Sequence, residues 1–354
     1  MSKKEEFLID NHYPILVTGA AGFIGSKVVE GLLRRGFSNI RCLVRSKHRT
    51  ERLEASMDVY RQEANVEILY GNLLSPADCS AATKDVAVIY HLAAGAGEKS
   101  VPDAFLNSVV ATRNLLAATL QQNCLRRFVN ISSFAVYDVR QKRGRVLDES
   151  CPVEQQPAVL RDAYEFAKLK QDELVFEYAK EHKLPVVTIR PGYVYGPGKS
   201  AISGRVGITT FGPFLHLGGT NPIPFTYVDN CADAIVLAGL KPGIEGEVFN
   251  VVDDDLPSSR QFLKLYKRNV RRFRSFYVPH VANYAFCWLW ERYSAWSEQQ
   301  LPPVFNRKRW YTYWKRTSYS NRKLKTLLGW LPEVSMAEGL ARYFESCRAG
   351  EQNA

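Results

Sequence analysis

Ile15-Leu-Val-Thr-Gly19-Ala-Ala-Gly22-Phe-Ile-Gly25 decides the fold. A short apolar run leads straight into three glycines spaced three apart, and an amphipathic helical pattern at 23–35 follows at once. Each glycine has its own physical task. Gly19 permits a tight turn, Gly22 lets a pyrophosphate approach the backbone, and Gly25 lets the helix lie close on its strand. Free N–H groups at the helix start then face the anion, helped by the helix dipole. Strand, glycine turn and helix in this order open a dinucleotide-binding βαβ unit.

The rest of the first 190 residues keeps the same rhythm. Apolar runs rich in β-branched residues recur at 40–44, 66–70, 86–90, 128–131 and 186–189, with helical patterns between several of them, at 104–122 and 163–182. Short buried strands alternating with helices predict an α/β fold, a doubly wound parallel sheet (Rossmann) with helices on both faces. Residues 191–224 are rich in Gly and Pro and read as loops. A helix–strand pair at 230–240 and 247–252 follows, and 257–350 reads as helical, basic and aromatic. The expected division is a dinucleotide-binding part, 10–190 and 225–252, and a smaller, mostly helical substrate-binding part, 191–224 and 253–350.

Composition narrows the class. With 46% hydrophobic and 23% charged residues in 354, the chain can bury a core, which excludes global disorder. It holds no run of eighteen apolar residues, and its first residues lack the apolar stretch of a secretory signal. Seven scattered cysteines with no CxxC and no Cys/His cluster read as free thiols of a reducing cytoplasm, with no metal site. The net charge of +11 is local: 260–330 carries 16 Lys/Arg against 2 Asp/Glu, and the remainder is slightly acidic. No recognition motif accompanies that charge, so nucleic acid is not an expected partner.

Two further stretches carry chemistry. After the second strand, where NAD-preferring proteins usually place an acidic residue for the ribose 2′-OH, this chain has Arg45, followed by Ser46, Lys47 and Arg49. A cationic turn suits a 2′-phosphate, so NADP is the preferred cofactor, with NAD the alternative. Tyr164-Glu-Phe-Ala-Lys168 sets a phenol and an ammonium one helical turn apart, where the cation is expected to lower the phenol pKa toward working pH. Such a phenol can exchange a proton with a secondary alcohol or ketone. Ser133, just past the strand at 128–131, could hold the substrate oxygen. The spacing alone is weak, since Tyr311/Lys315 and Tyr319/Lys323 repeat it.

Together with Thr18–Gly25, the stretches YGNLLSP (70–76), YHLAA (90–94), ATRNLLAA (111–118), ISSFAVYD (131–138), YEFAK (164–168), IRPGYVYGPG (189–198), PFTYVDNCADA (224–234) and GEVFNV (246–251) resemble the extended short-chain dehydrogenase/reductases of the NAD-dependent epimerase/dehydratase superfamily. The resemblance implies that Ser133, Tyr164 and Lys168 form the catalytic triad, with Tyr164 and Lys168 also touching the cofactor. It implies that Gly19, Gly22, Phe23, Ile24 and Gly25 form the cofactor turn. Asn72 and Leu73 would flank the adenine, Leu92, Ala93 and Ala94 line the cofactor, Asn107 orders the site, and Pro191 and Val194 close over the nicotinamide. Family members are often homodimers, which is the expectation here by analogy.

The branch is read from departures. Nucleotide-sugar enzymes usually carry an Asn where this chain reads Arg190-Pro-Gly-Tyr193, and often an Arg-x-Gly-Asp motif, whereas no Gly-Asp occurs here. PFTYVDN and the tail elements Leu301-Pro-Pro-Val-Phe-Asn306 and Leu328-Gly-Trp-Leu-Pro332 are similar to 3β-hydroxysteroid dehydrogenase/isomerases. The expectation is therefore an oxidoreductase interconverting a secondary alcohol and ketone on a large, mostly apolar, sterol- or lipid-like small molecule. A nucleotide-sugar epimerase/dehydratase with tightly bound NAD is one alternative, and a catalytically silent cofactor sensor or scaffold another. The basic, aromatic stretch 267–296 is read as the wall of an apolar pocket. An interfacial anchor making peripheral membrane contact and plain helical core are the competing readings.

Overall fold

The computed structural model describes residues 6–46, 50–60, 63–95, 100–140, 146–155, 162–199, 202–209, 212–297 and 305–352. Its centre is a seven-stranded, all-parallel sheet built from β1 (Ile15–Thr18), β2 (Asn39–Val44), β3 (Asn65–Tyr70), β4 (Val88–His91), β5 (Arg127–Ile131), β6 (Val186–Pro191) and β7 (Val248–Val251). The strand order is β7-β6-β5-β4-β1-β2-β3. The order reverses direction at β1, so the loops after β1 and β4 diverge and leave a crevice at the carboxyl edge.

Both faces of this sheet are covered, and the strands show it residue by residue. In β1, Ile15 and Val17 join the core under the helices Gly25–Arg34 and Val228–Leu240, while Leu16 joins the opposite core under Pro76–Thr83, Ala111–Thr119 and Ala163–His182. Val88 and Tyr90 against Ile89 in β4, and Val129 against Phe128 in β5, divide the same way. The period of two with no polar side is why these strands read as continuous apolar runs. Each fully buried aliphatic or aromatic side chain contributes about 1.5–3 kcal/mol.

The helix Ala163–His182 has clear ends. Asp162 caps it, accepting from the N–H groups of Tyr164 (2.9 Å) and Glu165 (3.2 Å), and Lys183 closes it in the left-handed conformation at φ 52°. The helical run across 101–119 is continuous but contains a π turn, Leu106–Val110, which carries Asn107.

Two expectations need correction. Residues 191–224 are not merely loops: Tyr193–Tyr195 pairs with Phe225–Tyr227, and Gly207–Thr209, Phe214–His216 and Ser275–Tyr277 form a small separate sheet. Three-residue strands are too short to show alternation in the sequence. The stretch 257–350 is mainly helical, in Ser259–Asn269, His280–Trp296, Arg322–Leu328 and Met336–Gln352, but it supplies the strand Ser275–Tyr277 to that sheet. None of the seven cysteines is in a disulfide.

Candidate functional site

A cleft of about 690 Å³ opens at the carboxyl ends of β1, β4, β5 and β6. Its floor is the glycine turn. Gly19 sits at φ +68°, and a Cβ there would lie 2.9 Å from the backbone nitrogen of Ala93. Only glycine fits both the turn and that approach. A Cβ on Gly25 would collide with the Gly19 carbonyl, so the helix Gly25–Arg34 comes down directly on the turn. That helix has no acidic residue in its first turn and no side-chain cap, which suits an anion at its start.

The residues assigned to the catalytic triad and to the cofactor turn, adenine end and nicotinamide end, with Arg45, all line this one cleft. Gly19, Gly22, Phe23, Ile24 and Gly25 form one side; Leu92, Ala93 and Ala94 face them from the end of β4. Arg45, Asn72, Leu73 and Asn107 stand at the β2 and β3 end, and Ser133, Tyr164, Lys168, Pro191 and Val194 at the other. Arg45 Nη1 donates to Asn107 Oδ1 at 3.2 Å. Asn72 Oδ1 already accepts from the Leu74 N–H at 3.0 Å. Lys47 and Arg49 lie outside the described residues.

Beneath the cleft, buried His91 is held between Thr18 Oγ1 and Thr112 Oγ1, each at 2.8 Å. Burial, aided by the nearby Lys168 cation, drives its pKa down to about 3, so it is a neutral strut. Thr18 Oγ1 also accepts from Ala93 N–H at 3.2 Å and so fixes the cofactor-side wall.

The phenol end is organised differently from the expectation. Ser133 hydrogen-bonds the Tyr164 phenol, which draws its pKa down, but burial outweighs this and the pKa is raised. The Lys168 ammonium donates instead to Ile131 O (2.6 Å) and Gln171 Oε1 (3.0 Å). Burial lowers its pKa to about 8, with Asp172 acting in the opposite direction. The expected acidification of the phenol by its neighbouring cation is thus overturned for the free protein: desolvation wins, and Ser133 is the partner that opposes it.

A buried polar network holds this end in place. Gln171 Nε2 donates to Asn130 Oδ1 (3.2 Å), and Asn130 Nδ2 to Asp172 Oδ1 (2.9 Å). Asp172 Oδ2 accepts from Ser132 Oγ (2.7 Å) and Arg190 Nη2 (3.1 Å). Lys168, Ser132 and the ends of β5 and β6 are therefore linked through one carboxylate.

Sequence reasoning missed the far wall. Tyr193, Lys199, Ser203, Arg205, Thr312 and Tyr313 complete the cleft beyond Tyr164. Arg205 Nη1 donates to Thr312 O at 2.7 Å, and its guanidinium lies 4.9 Å from the centre of the Tyr313 ring. Lys199 Nζ lies 5.4 Å from the Tyr193 ring centre, and burial lowers its pKa. The signal available in the sequence was composition alone, cations and rings on both sides of residue 300. Conversely, the preferred reading of 267–296 as pocket wall is not what the structure shows, because none of that stretch lines the cleft. The helix His280–Trp296 lies behind the segment that does: Tyr284 packs on Trp310 (ring centres 5.0 Å apart) and Phe286 on Phe305 (4.8 Å).

A sequence model described as the NAD dependent epimerase/dehydratase family matches residues 15–251. The chain belongs to that family. The family consists of enzymes, and its members similar to this chain vary in reaction. A trifunctional UDP-glucose 4,6-dehydratase/UDP-4-keto-6-deoxy-D-glucose 3,5-epimerase/UDP-4-keto-L-rhamnose-reductase of Arabidopsis thaliana is 28% identical over 67% of the chain, which spans only 36% of that protein's length. An uncharacterised UDP-glucose epimerase of Bacillus subtilis is 29% identical over 67% of the chain and 76% of its own. A putative anthocyanidin reductase of Ginkgo biloba is 23% identical over 75% of the chain and 82% of its own. Among solved structures, UDP-glucuronic acid 4-epimerase from Bacillus cereus in complex with NAD superposes with a TM-score of 0.71 at 23% identity, covering 96% of this chain and 98% of that one, a likeness of fold. A sterol-like substrate finds no support among these relatives; the nucleotide-sugar alternative does.

Proposed function

We propose that this epimerase/dehydratase-family enzyme binds a nicotinamide dinucleotide along the Gly19–Gly25 turn and transfers hydride to and from a secondary alcohol or ketone carbon of a nucleotide sugar. The observation that carries this reading is the convergence of Ser133, Tyr164 and Lys168 on the cleft whose other end is the glycine turn. The nicotinamide supplies the hydride acceptor and donor. The chain supplies the rest. The Ser133 hydroxyl would hold the substrate oxygen, and the Tyr164 phenol would take or return its proton. A phenol kept protonated by burial is suited to donate when a ketone is reduced. Lys168, fixed by Ile131 O and Gln171, would bind the ribose hydroxyls.

Two features support the nucleotide-sugar class beyond the relatives. The substrate end carries cations, Lys199 and Arg205, beside the flat rings of Tyr193 and Tyr313. Cations and ring faces suit a diphosphate and a base, and a wholly apolar sterol would leave both charges uncompensated. The proposed division is a dinucleotide-binding part, 10–190 and 225–252, and a substrate part assembled from 191–224 and 253–350, to which Tyr193, Lys199, Arg205 and Tyr313 belong. The cation that bears on the cofactor choice is Arg45, held by Asn107 at the adenine end: it favours NADP, in contrast to the NAD held by the solved neighbour. Arg45→Ala is expected to weaken NADP(H) by about tenfold or more and NAD(H) little.

The decisive experiment is turnover of UDP-sugars by the purified protein, with product analysis and the reduced-nicotinamide absorbance followed together. A new sugar epimer, or a keto-deoxy sugar formed with loss of water and return of the hydride to the same sugar, is expected without net dinucleotide reduction. Tyr164→Phe should lower the rate by about 10²–10⁴-fold with dinucleotide affinity retained. Unchanged turnover in Tyr164→Phe would remove the phenol from the chemistry.

A further inference from the structure

The helix His280–Trp296 carries large apolar side chains on both sides, and the outer side is left uncovered by the described residues. Its buried side chains are Asn283, Cys287 and Ser294, all small or polar. Facing outward are Val281 (83% exposed), Leu289 (56%) and Trp296 (79%), with Trp288 and Tyr293 also exposed, while Tyr284, Phe286 and Trp290 turn the other way, onto Trp310 and Phe305. Such helices normally turn the apolar stripe inward. The strand just before it extends the surface with exposed Phe276 and Tyr277. Large apolar side chains exposed side by side in this way mark an interaction site.

The charge around the patch selects its partner. Between residues 257 and 297 there are eight Lys/Arg and a single acidic residue, Glu291. Glu291 is already engaged by Arg307 at 2.9 Å. Arg268, Arg271, Arg272, Arg274 and Arg292 are exposed, and the Arg292 guanidinium stands 5.4 Å from the Trp288 ring centre. A second copy of the chain meeting this face about a two-fold axis would set these cations against their own image. An anionic surface would neutralise them. Tryptophan and tyrosine among arginines also match the boundary between lipid headgroups and acyl chains.

We propose that the face formed by 270–296 seats the protein on an anionic lipid bilayer, with the rings, Val281 and Leu289 in the headgroup–acyl boundary and the arginines at lipid phosphates. The seating is peripheral: no helix among the described residues is long and apolar enough to cross a membrane. It also has a consequence for access. The inner side of the helix packs on Phe305 and Trp310, and the same segment contributes Thr312 and Tyr313 to the cleft wall. The substrate end of the cleft therefore lies one layer of aromatic rings behind the lipid-facing surface.

The test is co-sedimentation of the full chain with vesicles of phosphatidylcholine alone and of phosphatidylcholine mixed with phosphatidylglycerol, at low and high salt. Binding to the anionic vesicles is expected to exceed that to the neutral ones by about tenfold or more, and to weaken with salt. Two variants separate the contributions: Trp288→Ser/Leu289→Ser/Trp296→Ser removes the apolar seat, and Arg271→Glu/Arg272→Glu/Arg274→Glu reverses the charge. Both are expected to lose vesicle binding while keeping the circular dichroism spectrum and the dinucleotide affinity of the unaltered protein, since none of these residues lines the cleft. Equal sedimentation with and without vesicles overturns the proposal, as does full binding by either variant. So does a lipid-free dimer that the serine variant splits without any vesicle binding, which would give the face to a second copy.

Discussion

The helices Ala163–His182 and His280–Trp296 are similar in length and opposite in construction. The first turns Lys168, Gln171 and Asp172 inward, where burial of charge would be costly without partners, and the partners are all present: Ile131 O, Asn130, Ser132 and Arg190. The second turns Asn283, Cys287 and Ser294 inward with the rings of Tyr284 and Trp290, and leaves Trp288, Leu289, Tyr293 and Trp296 outside without a partner of matching area. A helix next to a reaction centre accepts buried polar groups because the sheet edge supplies their hydrogen bonds. A helix with exposed rings is explained only by something outside the chain. Composition alone does not separate the two cases; the direction of each face does.

The largest effects should come from the inward-facing network. Asp172→Ala leaves the Arg190 guanidinium buried without its carboxylate, and should destabilise the protein by about 3–5 kcal/mol in urea unfolding. A loss below about 1 kcal/mol would mean that the network is not what holds this end of the cleft, and the contrast between the helices would fail.

An intermediate effect concerns pH. Burial lowers the Lys168 pKa from 10.5 to about 8, so the unfolded chain binds this proton more tightly between those values. The cost of burying the ammonium is fully present below about pH 8 and relaxes as pH rises toward 10.5. The stability of Lys168→Met relative to the unaltered protein should therefore be most favourable near about pH 7 and decline by about pH 10, read from urea midpoints at the two pH values. A pH-independent difference would show that the ammonium is not desolvated.

The smallest effect belongs to the outer face of the second helix, with a buried ring as its reference. Trp314 is fully buried, with Nε1 donating to Gly204 O at 3.0 Å, and Trp314→Ala should cost about 3–5 kcal/mol. Trp296→Ala, on the outer face of the neighbouring helix, should change stability by less than about 0.5 kcal/mol. Comparable losses in the two variants would mean that Trp296 is packed in solution and the lipid-facing surface is closed.

Much of the sheet was legible in the chain. The apolar runs lie within a residue or two of β1 to β6: the interior strands are buried on both faces and have no exposed polar side to blur the signal, while the edge strand β3, half-exposed, is carried by Val66, Ile68 and Leu69. One exception is Arg127 at the start of β5, fully buried yet paired with Glu245 at 2.6 Å and donating to the carbonyls of Ala238 and Lys241. Its partners lie more than a hundred residues away, so no local pattern announces them. The glycine turn was legible for a similar reason of locality: clashes at Gly19 and Gly25 arise within the turn or from the strand beside it. The far wall of the cleft was not, since Arg205 meets Thr312 and Tyr313 only because the chain returns after β7.

What the sequence determined by itself is the local geometry: a strand that must stop at Gly19, a helix that must start by Gly25, and a phenol and an ammonium on one helical turn. Steric exclusion and a fixed rise per residue act over a few positions, and order along the chain suffices to read them. The tertiary structure decided which groups share an environment. It gave the Lys168 ammonium to Ile131 and Gln171, gave the Tyr164 phenol to Ser133, and set Trp288, Tyr293 and Trp296 facing out. Desolvation and Coulomb energy depend on distances through space, and only the folded path of the chain sets those distances.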